Sequence, residues 1–380
     1  MAIDDLYTDI LVRAVDVIRT ETILPALVNH ATLGDRSVGA SRGGITEVIV
    51  PPEFSTRNVV PAPTPPASSG APNPSTVQVP LNYWKETDMQ LTTAHAAQME
   101  NAGADVPMFI ANMASPIVED ITNSLMAQYP GIYAAAGVAG TTPFASDPSV
   151  AQTAKKLLSK NKCPKMMRKL VLNTDAYSNA TALDQFRSAD RSGSNMTLLE
   201  GEIGRGIGFD WHEDVGIDDT SHVNANGDPS GWLVNQADHA AGDTTVAIDT
   251  GSNEPVAGDL FSVAGDDRTY YRVVSYAAGT LTYAPAADEA WADNAAITFV
   301  AEHTLAGLAF NPFAFAFDSR PEAELQISGV KQNFLTWVDE MTGVVLRLEI
   351  REGYHCMLVY LSCLWGSVLV DPRLACRILG

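Results

Sequence analysis

The chain has 380 residues, of which 46% are hydrophobic and 18% charged, with 24 lysines and arginines against 45 aspartates and glutamates. A chain of this length and composition forms two or three lobes and buries an adequate core without disulfides or metals. Its net charge of −21 argues against a protein that grips a nucleic-acid backbone, because that task requires an excess of basic residues.

The cysteines and the apolar segments indicate a reducing compartment and no membrane span. Cys163, Cys356, Cys363 and Cys376 include no C-x-x-C pair and are expected to be buried thiols. The first twenty residues carry four aspartates, so no signal peptide is expected. The longest apolar run has fifteen residues, fewer than the roughly 18 to 20 that a spanning helix needs. We therefore expect a soluble protein made in the cytoplasm.

The chain begins with an amphipathic helix and continues into a proline-rich hairpin. Apolar residues at helical spacing run from Ile3 to Ile18, and this stripe either faces the core or docks on a neighbouring subunit. Residues 51–80 contain nine prolines, which exclude a helix or a central strand. Strand-like sequence on both sides predicts a long projecting hairpin over residues 45–91, and a flexible linker is the alternative.

The middle of the chain alternates helices with one short strand. Ser115-Pro116 marks a helix start, and helical spacing continues to Tyr129. Further helices are predicted at 150–158 and from Asp175 onward. A buried strand is predicted between them, at 168–173.

Residues 201–302 differ from the rest in charge and in hydrophobic period. They hold 18 acidic and 3 basic residues, whereas residues 151–200 hold 4 and 9. Short alternating runs between glycine-containing turns predict a small inserted β-barrel or sandwich. Beyond it, a half-buried strand is predicted at 346–350, and then a buried strand or strand pair at 356–370 that Gly366 interrupts.

No motif indicates an enzyme site. The glycine-rich stretch 201–208 lacks the spacing of a nucleotide-binding loop and is predicted to be a turn. Asp218, Asp219 and His222 are weak candidates for binding a divalent cation, because their spacing fits neither an EF-hand loop nor an H-E-x-x-H motif, and a solvated acidic surface is the alternative. The seven histidines are scattered, and no nucleophile constellation is present. No catalytic residue, cofactor or firm metal site is therefore predicted.

A basic cluster occupies residues 155–169. Lys155, Lys156, Lys160 and Lys162 are candidate contacts for an acidic partner protein, since the charge of the whole chain disfavours nucleic acid. A solvated helix face is the alternative.

Five stretches, in order along the chain, are similar to segments of the major capsid proteins of tailed bacteriophages. The resemblance is to coat proteins with the Hong Kong 97-like fold, in particular to the podophage type that carries an inserted β-domain. The stretches are VQVPLNYWKE at 77–86, LEGEIGRGIGFDW at 199–211, GDLFSVAG at 258–265, LAFNPFAFA at 308–316 and GSVLVDPRLACRI at 366–378.

The resemblance implies an α+β fold built from an N-arm, an extended β-hairpin loop, a spine helix, peripheral and axial domains, and the inserted β-domain. The expected order is an N-terminal arm at 1–44, the extended loop at 45–91, the spine helix and peripheral domain at 92–148, a first axial-domain segment at 149–219, the acidic β-insertion at 220–302, a second axial-domain segment at 303–340, and peripheral strands with the C-terminus at 341–380.

The same resemblance implies a structural protein of the virion and not an enzyme. Pentamers and hexamers would build an icosahedral shell that encloses DNA without sequence-specific binding, after assembly in the host cytoplasm. A scaffolding protein, a portal protein and decoration proteins are the implied partners, with no cofactor and no membrane. Arg57, Tyr83, Trp84 and Lys85 are candidate subunit contacts. Some relatives crosslink a loop lysine to an asparagine, but Lys85 is the single lysine of this loop and lies at its base, so no crosslink is expected.

Two other functions remain open from the sequence. A cytoplasmic enzyme with an acidic β accessory domain predicts a pocket with convergent polar groups and a small oligomer. A phage-derived protein cage of the same fold that stores enzymes differs from a capsid mainly in lacking a phage context.

Overall fold

A computed structural model describes residues 3–21, 23–30, 39–51, 56, 58–59, 61, 74–92, 94, 112–188, 200–218, 220–323 and 334–380. The helices with defined bounds are α1 Ile3–Glu21, α2 Leu24–Leu27, α3 Ser115–Met126, α4 Ser149–Lys160, α5 Thr174–Ala182 and α6 Asp184–Arg187. Within the described residues, no helix combines the length and the apolar character needed to cross a membrane.

The strands fall into four sheets. In chain order they are β1 Ile45–Val50, β2 Ser75–Pro80, β3 Tyr83–Thr92, β4 Ala135–Ala136, β5 Lys169–Leu172, β6 Arg205–Gly206, β7 Phe209–Glu213, β8 Ser221–His222, β9 Leu233–Val234, β10 Thr245–Asp249, β11 Leu260–Val263, β12 Tyr271–Ala277, β13 Thr280–Ala284, β14 Ile297–Phe299, β15 His303–Phe310, β16 Phe315–Arg320, β17 Phe334–Val338, β18 Val345–Gly353, β19 Cys356–Leu369 and β20 Ala375–Leu379.

Helix α1 packs on the core of its own chain. Ile10, Leu11 and Ile18 are 1% exposed or less and share one apolar cluster with α3 and the five-stranded sheet. Arg19 donates to Asp339 at 2.6 Å, which ties the end of the helix to the turn after β17. The apolar side chains of residues 10–18 therefore face inward, as the core-facing interpretation of the stripe predicted, and this stretch of the expected 1–44 arm packs on the body.

The projecting hairpin is shorter than expected. β1 and β2 pair antiparallel from Ile45–Pro80 to Val50–Ser75. Backbone bonds continue one residue past Pro80, where the Leu81 amide donates to the Gly44 carbonyl at 2.8 Å and the Leu81 carbonyl accepts from the Gly43 amide at 2.8 Å. The next strand, β3, then pairs with β19 along its whole length. The expected loop of 45–91 therefore divides into a hairpin at 45–80 and a strand of the body.

The five-stranded sheet has the order β16-β19-β18-β17, with β3 on the other edge of β19. β19 is one continuous strand of fourteen residues. Gly366 does not interrupt it. A β-carbon there would lie 2.3 Å from the Pro80 carbonyl oxygen, so the glycine lets the base of the hairpin cross the strand. The expected axial segment 303–340 is divided, because β16 and β17 belong to this sheet and only β15 belongs to the other.

The seven-stranded sheet has the order β4-β20-β15-β5-β7-β6, with β8 on β15. Helix α4 covers it with Ala151, Ala154 and Leu158. The glycine-rich stretch forms the tight β6–β7 turn, where Ile207 and Gly208 have φ of 55° and 90°. A strand and not a helix follows, as the turn interpretation predicted.

The acidic segment forms a separate six-stranded sheet of order β14-β11-β12-β13-β10-β9. Its core is aromatic and contains Trp232, Phe261, Tyr271, Tyr283 and Trp291. The chain enters after β8 and returns through β15, and these two strands pair at His222–His303 and Ser221–Thr304. The α+β class with an inserted β-unit is thus confirmed.

Three of the four cysteines are buried free thiols, Cys163, Cys363 and Cys376, while Cys356 is half-buried. Burial raises the pKa of Cys363 to about 12 and that of Cys376 to about 12.

Candidate assembly surfaces

The two faces of the hairpin β1–β2 differ in what covers them. Val48 and Val79 are 4% and 0% exposed and pack against Ala316 of the body. Strand side chains alternate between faces, so Ile45 and Ile49 point the other way and are 57% and 49% exposed. A two-stranded hairpin is marginally stable alone. Glu47 and its cross-strand partner Gln78 lie between them, so the outer face is a mixed surface with two uncovered isoleucines that a second chain can cover.

Tyr83 and Trp84 point to opposite sides of the five-stranded sheet. Tyr83 stacks on Trp365, with ring centroids 5.6 Å apart and planes 16° apart. Trp84 is 54% exposed, and its indole donates to Glu322 Oε1 at 2.8 Å. Arg347 also pairs with Glu322, at 3.2 Å, so the carboxylate that holds Trp84 is itself held. Of these two candidate contacts, Trp84 alone presents a large surface outward.

Lys85 and Arg57 complete the expected subunit contacts. The Lys85 ammonium pairs with Asp120 on α3 in its own chain, although both side chains remain partly exposed. Arg57 lies outside the residues that the structure describes.

The basic cluster consists of exposed lysines and two basic residues that bind other groups of the same chain. The exposed residues are Lys155, Lys156, Lys160, Lys162 and Lys165. Arg168, by contrast, is 2% exposed and donates to the Pro164 and Cys163 carbonyls at 2.9 and 2.7 Å. Lys169 pairs with Asp210 at 2.9 Å. Lys155, Lys156, Lys160 and Lys162, the candidate partner contacts, are thus all exposed.

The structure gives the candidate metal ligands different partners. Asp218 accepts from the Thr174 amide at 3.0 Å and hydroxyl at 2.9 Å, at the start of α5. His222 is buried and binds Asp259 instead. Asp219 lies outside the described residues, and within them no group of three or more metal-ligating side chains is placed to hold an ion.

A buried polar network, not foreseen from the sequence, joins the insertion to the body. Asp259 accepts from His222 Nε2 at 2.7 Å and from Asn224 Nδ2 at 2.7 Å. The Tyr129 hydroxyl lies 3.2 Å from His222 Nδ1. The His303 ring lies 5.5 Å from the His222 ring, and burial lowers the pKa of His303.

Arg377 is a further buried polar side chain at the junction of the insertion and the body. It is 0% exposed, although it sits in the otherwise apolar strand β20. Its Nε donates to the Ile132 carbonyl at 2.8 Å, and its Nη2 donates to Pro130 at 2.9 Å and Gly258 at 3.0 Å. Burial lowers the pKa of this guanidinium. In the sequence, the one sign of this structural role is that a charged residue lies within an otherwise apolar strand.

A cavity of about 1200 Å³ lies between α3 and the edge strands β6 and β7. Three of its charged groups serve the fold: Lys169 pairs with Asp210, and Asp214 accepts from the Leu24 amide at 3.1 Å. His212 lines the cavity, and burial lowers its pKa. Among the described residues no nucleophile is hydrogen-bonded to the His212 Nε2 atom. The polar pocket that the enzyme hypothesis predicts is present, without an arrangement that activates a nucleophile.

No family model and no curated protein matches the sequence. Solved structures match it over nearly the whole chain. A structure from Mycobacterium phage Che8 is 14% identical, with 94% of this chain and 91% of that chain covered and a TM-score of 0.47. The capsid of cyanophage P-SCSP1u is 12% identical, with 94% and 88% covered and a TM-score of 0.48. A virus-like particle from Pyrococcus furiosus is 8% identical, with 98% of both chains covered and a TM-score of 0.43.

The architecture follows the order of elements that the resemblance implied. A hairpin, the helix α3, two sheets, a β-insertion and a closing strand succeed one another in the described residues.

Proposed function

We propose that this chain is the major capsid protein of a tailed bacteriophage, a shell subunit that assembles with copies of itself. The observation that carries the proposal is the hairpin β1–β2, which lacks a core of its own and leaves Ile45 and Ile49 uncovered. A monomer gains nothing from exposing two branched apolar side chains on a projecting ladder, whereas burying them on a neighbour is favourable.

Pentamers and hexamers closed into an icosahedral shell are the assembly we propose. Trp84, on the outer face of the five-stranded sheet, is a second proposed subunit contact, with Arg57 of the loop. Lys85 is already paired with Asp120, which supports a shell without lysine crosslinks.

The proposed shell encloses the phage genome and is built in the host cytoplasm with a scaffolding protein, a portal protein and decoration proteins. The net charge of −21 supports a wall that repels packaged DNA and lets it slide during filling. We propose no catalytic role, since Lys169, Asp210 and Asp214 in the cavity between α3 and strands β6 and β7 have structural partners.

The hairpin face can be tested with Ile45→Asp/Ile49→Asp. Both residues are exposed, so the free energy of unfolding of the subunit should change by only about 0.5 kcal/mol. Two carboxylates buried at a subunit contact should abolish closed shells, measured by electron microscopy and light scattering after co-expression with the scaffolding protein.

The matched control is Val215→Asp/Val223→Asp, which places two carboxylates at sites 71% and 59% exposed outside the hairpin. It should still form shells. Normal shells from the hairpin variant would contradict the proposed contact. A small discrete oligomer from the unaltered chain, with scaffold present, would contradict the shell function itself.

A protein cage of the same fold is separated from a capsid by its contents. Particles purified from infected cells should contain double-stranded DNA protected from nuclease. Particles filled with protein and free of DNA would favour the cage.

A further inference from the structure

Exposed lysines and an apolar patch share α4 and the loop that follows it, and together they form what we call the lysine–methionine surface. Met166 and Met167 are 75% and 52% exposed in this loop, directly after Lys165. Phe313, 54% exposed, adjoins them, because Asn311 donates to the Met166 carbonyl at 3.0 Å and accepts from the Phe313 amide at 3.3 Å. Exposed methionines on an element rich in cations are typical of a protein-binding surface.

This surface is held rigid before any partner arrives. The buried Arg168 guanidinium fastens the loop through the Pro164 and Cys163 carbonyls and through Ser159 Oγ at 3.1 Å. Asn311 is 1% exposed and fixes the other side. A surface ordered in advance loses less conformational entropy on binding.

The insertion carries a surface of complementary charge, which we call the acidic tip. It comprises the exposed acids Asp238, Glu289 and Asp293 with the exposed methyl groups of Ala286, Ala290 and Ala292. Beneath them the His239 and Trp291 rings stack at 4.2 Å, and Trp291 donates to Asp266 at 2.7 Å. The acidic and small apolar side chains thus lie together over a well-packed aromatic layer.

Within one chain these two surfaces do not meet. The insertion approaches α4 with Arg268, Thr269 and Tyr270, which line a small cavity together with Leu157 and Asn161. None of the five exposed lysines forms an ion pair with an acid of the described residues. Each surface can therefore attract its counterpart on another copy of the chain.

We infer that the lysine–methionine surface of one copy binds the acidic tip of a second copy. The charge supports this occupant: residues 220–302 hold 12 acidic and 2 basic residues, while the exposed charges of α4 and its loop are all lysines. The inference rests on the proposed function only in requiring self-association, and it adds which two surfaces meet.

The test is zero-length carbodiimide coupling on an equal mixture of unlabelled and ¹⁵N-labelled full-length chains, in whatever assembly state they adopt. Mixed-isotope crosslinks should join Lys156 or Lys160 to Glu289 or Asp293. Their yield should fall several-fold when salt is raised to about 0.5 M, because these charges are exposed. Couplings confined to one isotope, to another protein or to none of these lysines would overturn the inference.

A charge swap provides the second measurement. Lys156→Glu/Lys160→Glu and Glu289→Lys/Asp293→Lys should each reduce the mixed-isotope couplings at this contact and the assembly yield several-fold. All four changes in one chain should restore both. Combining the lysine reversal with Glu254→Lys/Glu302→Lys, at other exposed acids of the insertion, should restore neither.

Rescue by this control pair, or no rescue by the matched pair, would overturn the inference. Shell formation by the unaltered chain is scored separately by electron microscopy. Shells without these couplings would therefore overturn the inference alone, and couplings without shells would count against the proposed function alone.

Discussion

His303 lies beside His222 where the insertion leaves the body, and its two nitrogens differ sharply. Nδ1 donates to the Ala301 carbonyl at 2.8 Å, whereas Nε2 is buried without a partner. Burial lowers the pKa of His303, and the neighbouring His222 and Arg377 lower it further, while the bond to Ala301 and the charge of Asp259 oppose them. Protonation would add a charge that nothing at Nε2 accepts.

We therefore expect stability to fall in mild acid. An unfolded histidine binds its proton near pH 6.5, above the folded pKa of His303. The unfolded state thus takes up this proton first as the pH falls. The contribution of His303 to the free energy of unfolding therefore decreases below about pH 6.5 and is constant above it. In urea unfolding at about pH 7.5 and about pH 5.5, His303→Gln should weaken this dependence.

His355→Gln is the matched control, because His355 is exposed at the β18–β19 turn. It should leave the pH dependence unchanged. An equal change in both variants would remove His303 from the explanation.

At the element scale, a glycine in strand β19 allows another backbone segment to lie against the strand. Gly366→Ala would place a β-carbon 2.3 Å from the Pro80 carbonyl oxygen, which belongs to backbone and cannot rotate away. We expect a loss of about 1–3 kcal/mol in the free energy of unfolding, as for an overpacked core. Amide hydrogen exchange over residues 45–50 and 75–80 should accelerate, because the base of the hairpin must move.

Gly353→Ala is the control on the adjoining strand. Its β-carbon would meet the Cys356 sulfur at 2.7 Å, a side-chain atom that can rotate. A smaller loss is expected, with no change in hairpin exchange. Equal losses from both variants would show that glycine flexibility, and not the crossing at Pro80, sets the cost.

The same elements show what sequence pattern can predict. Helical spacing predicted α3 and α4, and alternating runs between turns predicted the β-rich insertion, because both patterns are local. The division of the expected loop into the hairpin β1–β2 and the strand β3 was not marked locally, because β3 and its partner β19 are compatible with several strand pairings.

The candidate surfaces follow the same division. The cluster of lysines and the proline-rich loop stand out in the amino-acid composition, and both were identified from the sequence. Arg377 is buried against carbonyls of turns more than 100 residues away, so its place in the sequence carries no sign of these partners. Arg168 is buried against carbonyls of the loop just before it, and that outcome depends on the conformation of the loop.

At the scale of the whole molecule, the insertion is attached through one two-residue pair of strands. Because His222 pairs directly with His303, a short turn can replace residues 224–301 without stretching the body. We expect the excised chain, with His222→Ala to remove the unpaired imidazole, to fold with the body's secondary structure, measured by circular dichroism.

The excised chain should nevertheless unfold at lower denaturant concentration. Arg377 loses the Gly258 carbonyl, and Ala135 and Leu379 lose their contact with Leu260. The loss should be several kcal/mol, from an unpaired buried donor and exposed apolar surface. An excised chain that gives no cooperative transition would show that the insertion belongs to the folding core.

The buried thiols bear on how a particle of this chain would age outside a cell. With their pKa raised to about 12, Cys363 and Cys376 remain protonated at neutral pH, and the thiolate is the form that oxidants and disulfides attack. Cys356 alone among the four is partly accessible, beside the β18–β19 turn. In an oxidising medium the two buried thiols should thus stay reduced, and Cys356 is the thiol expected to react first.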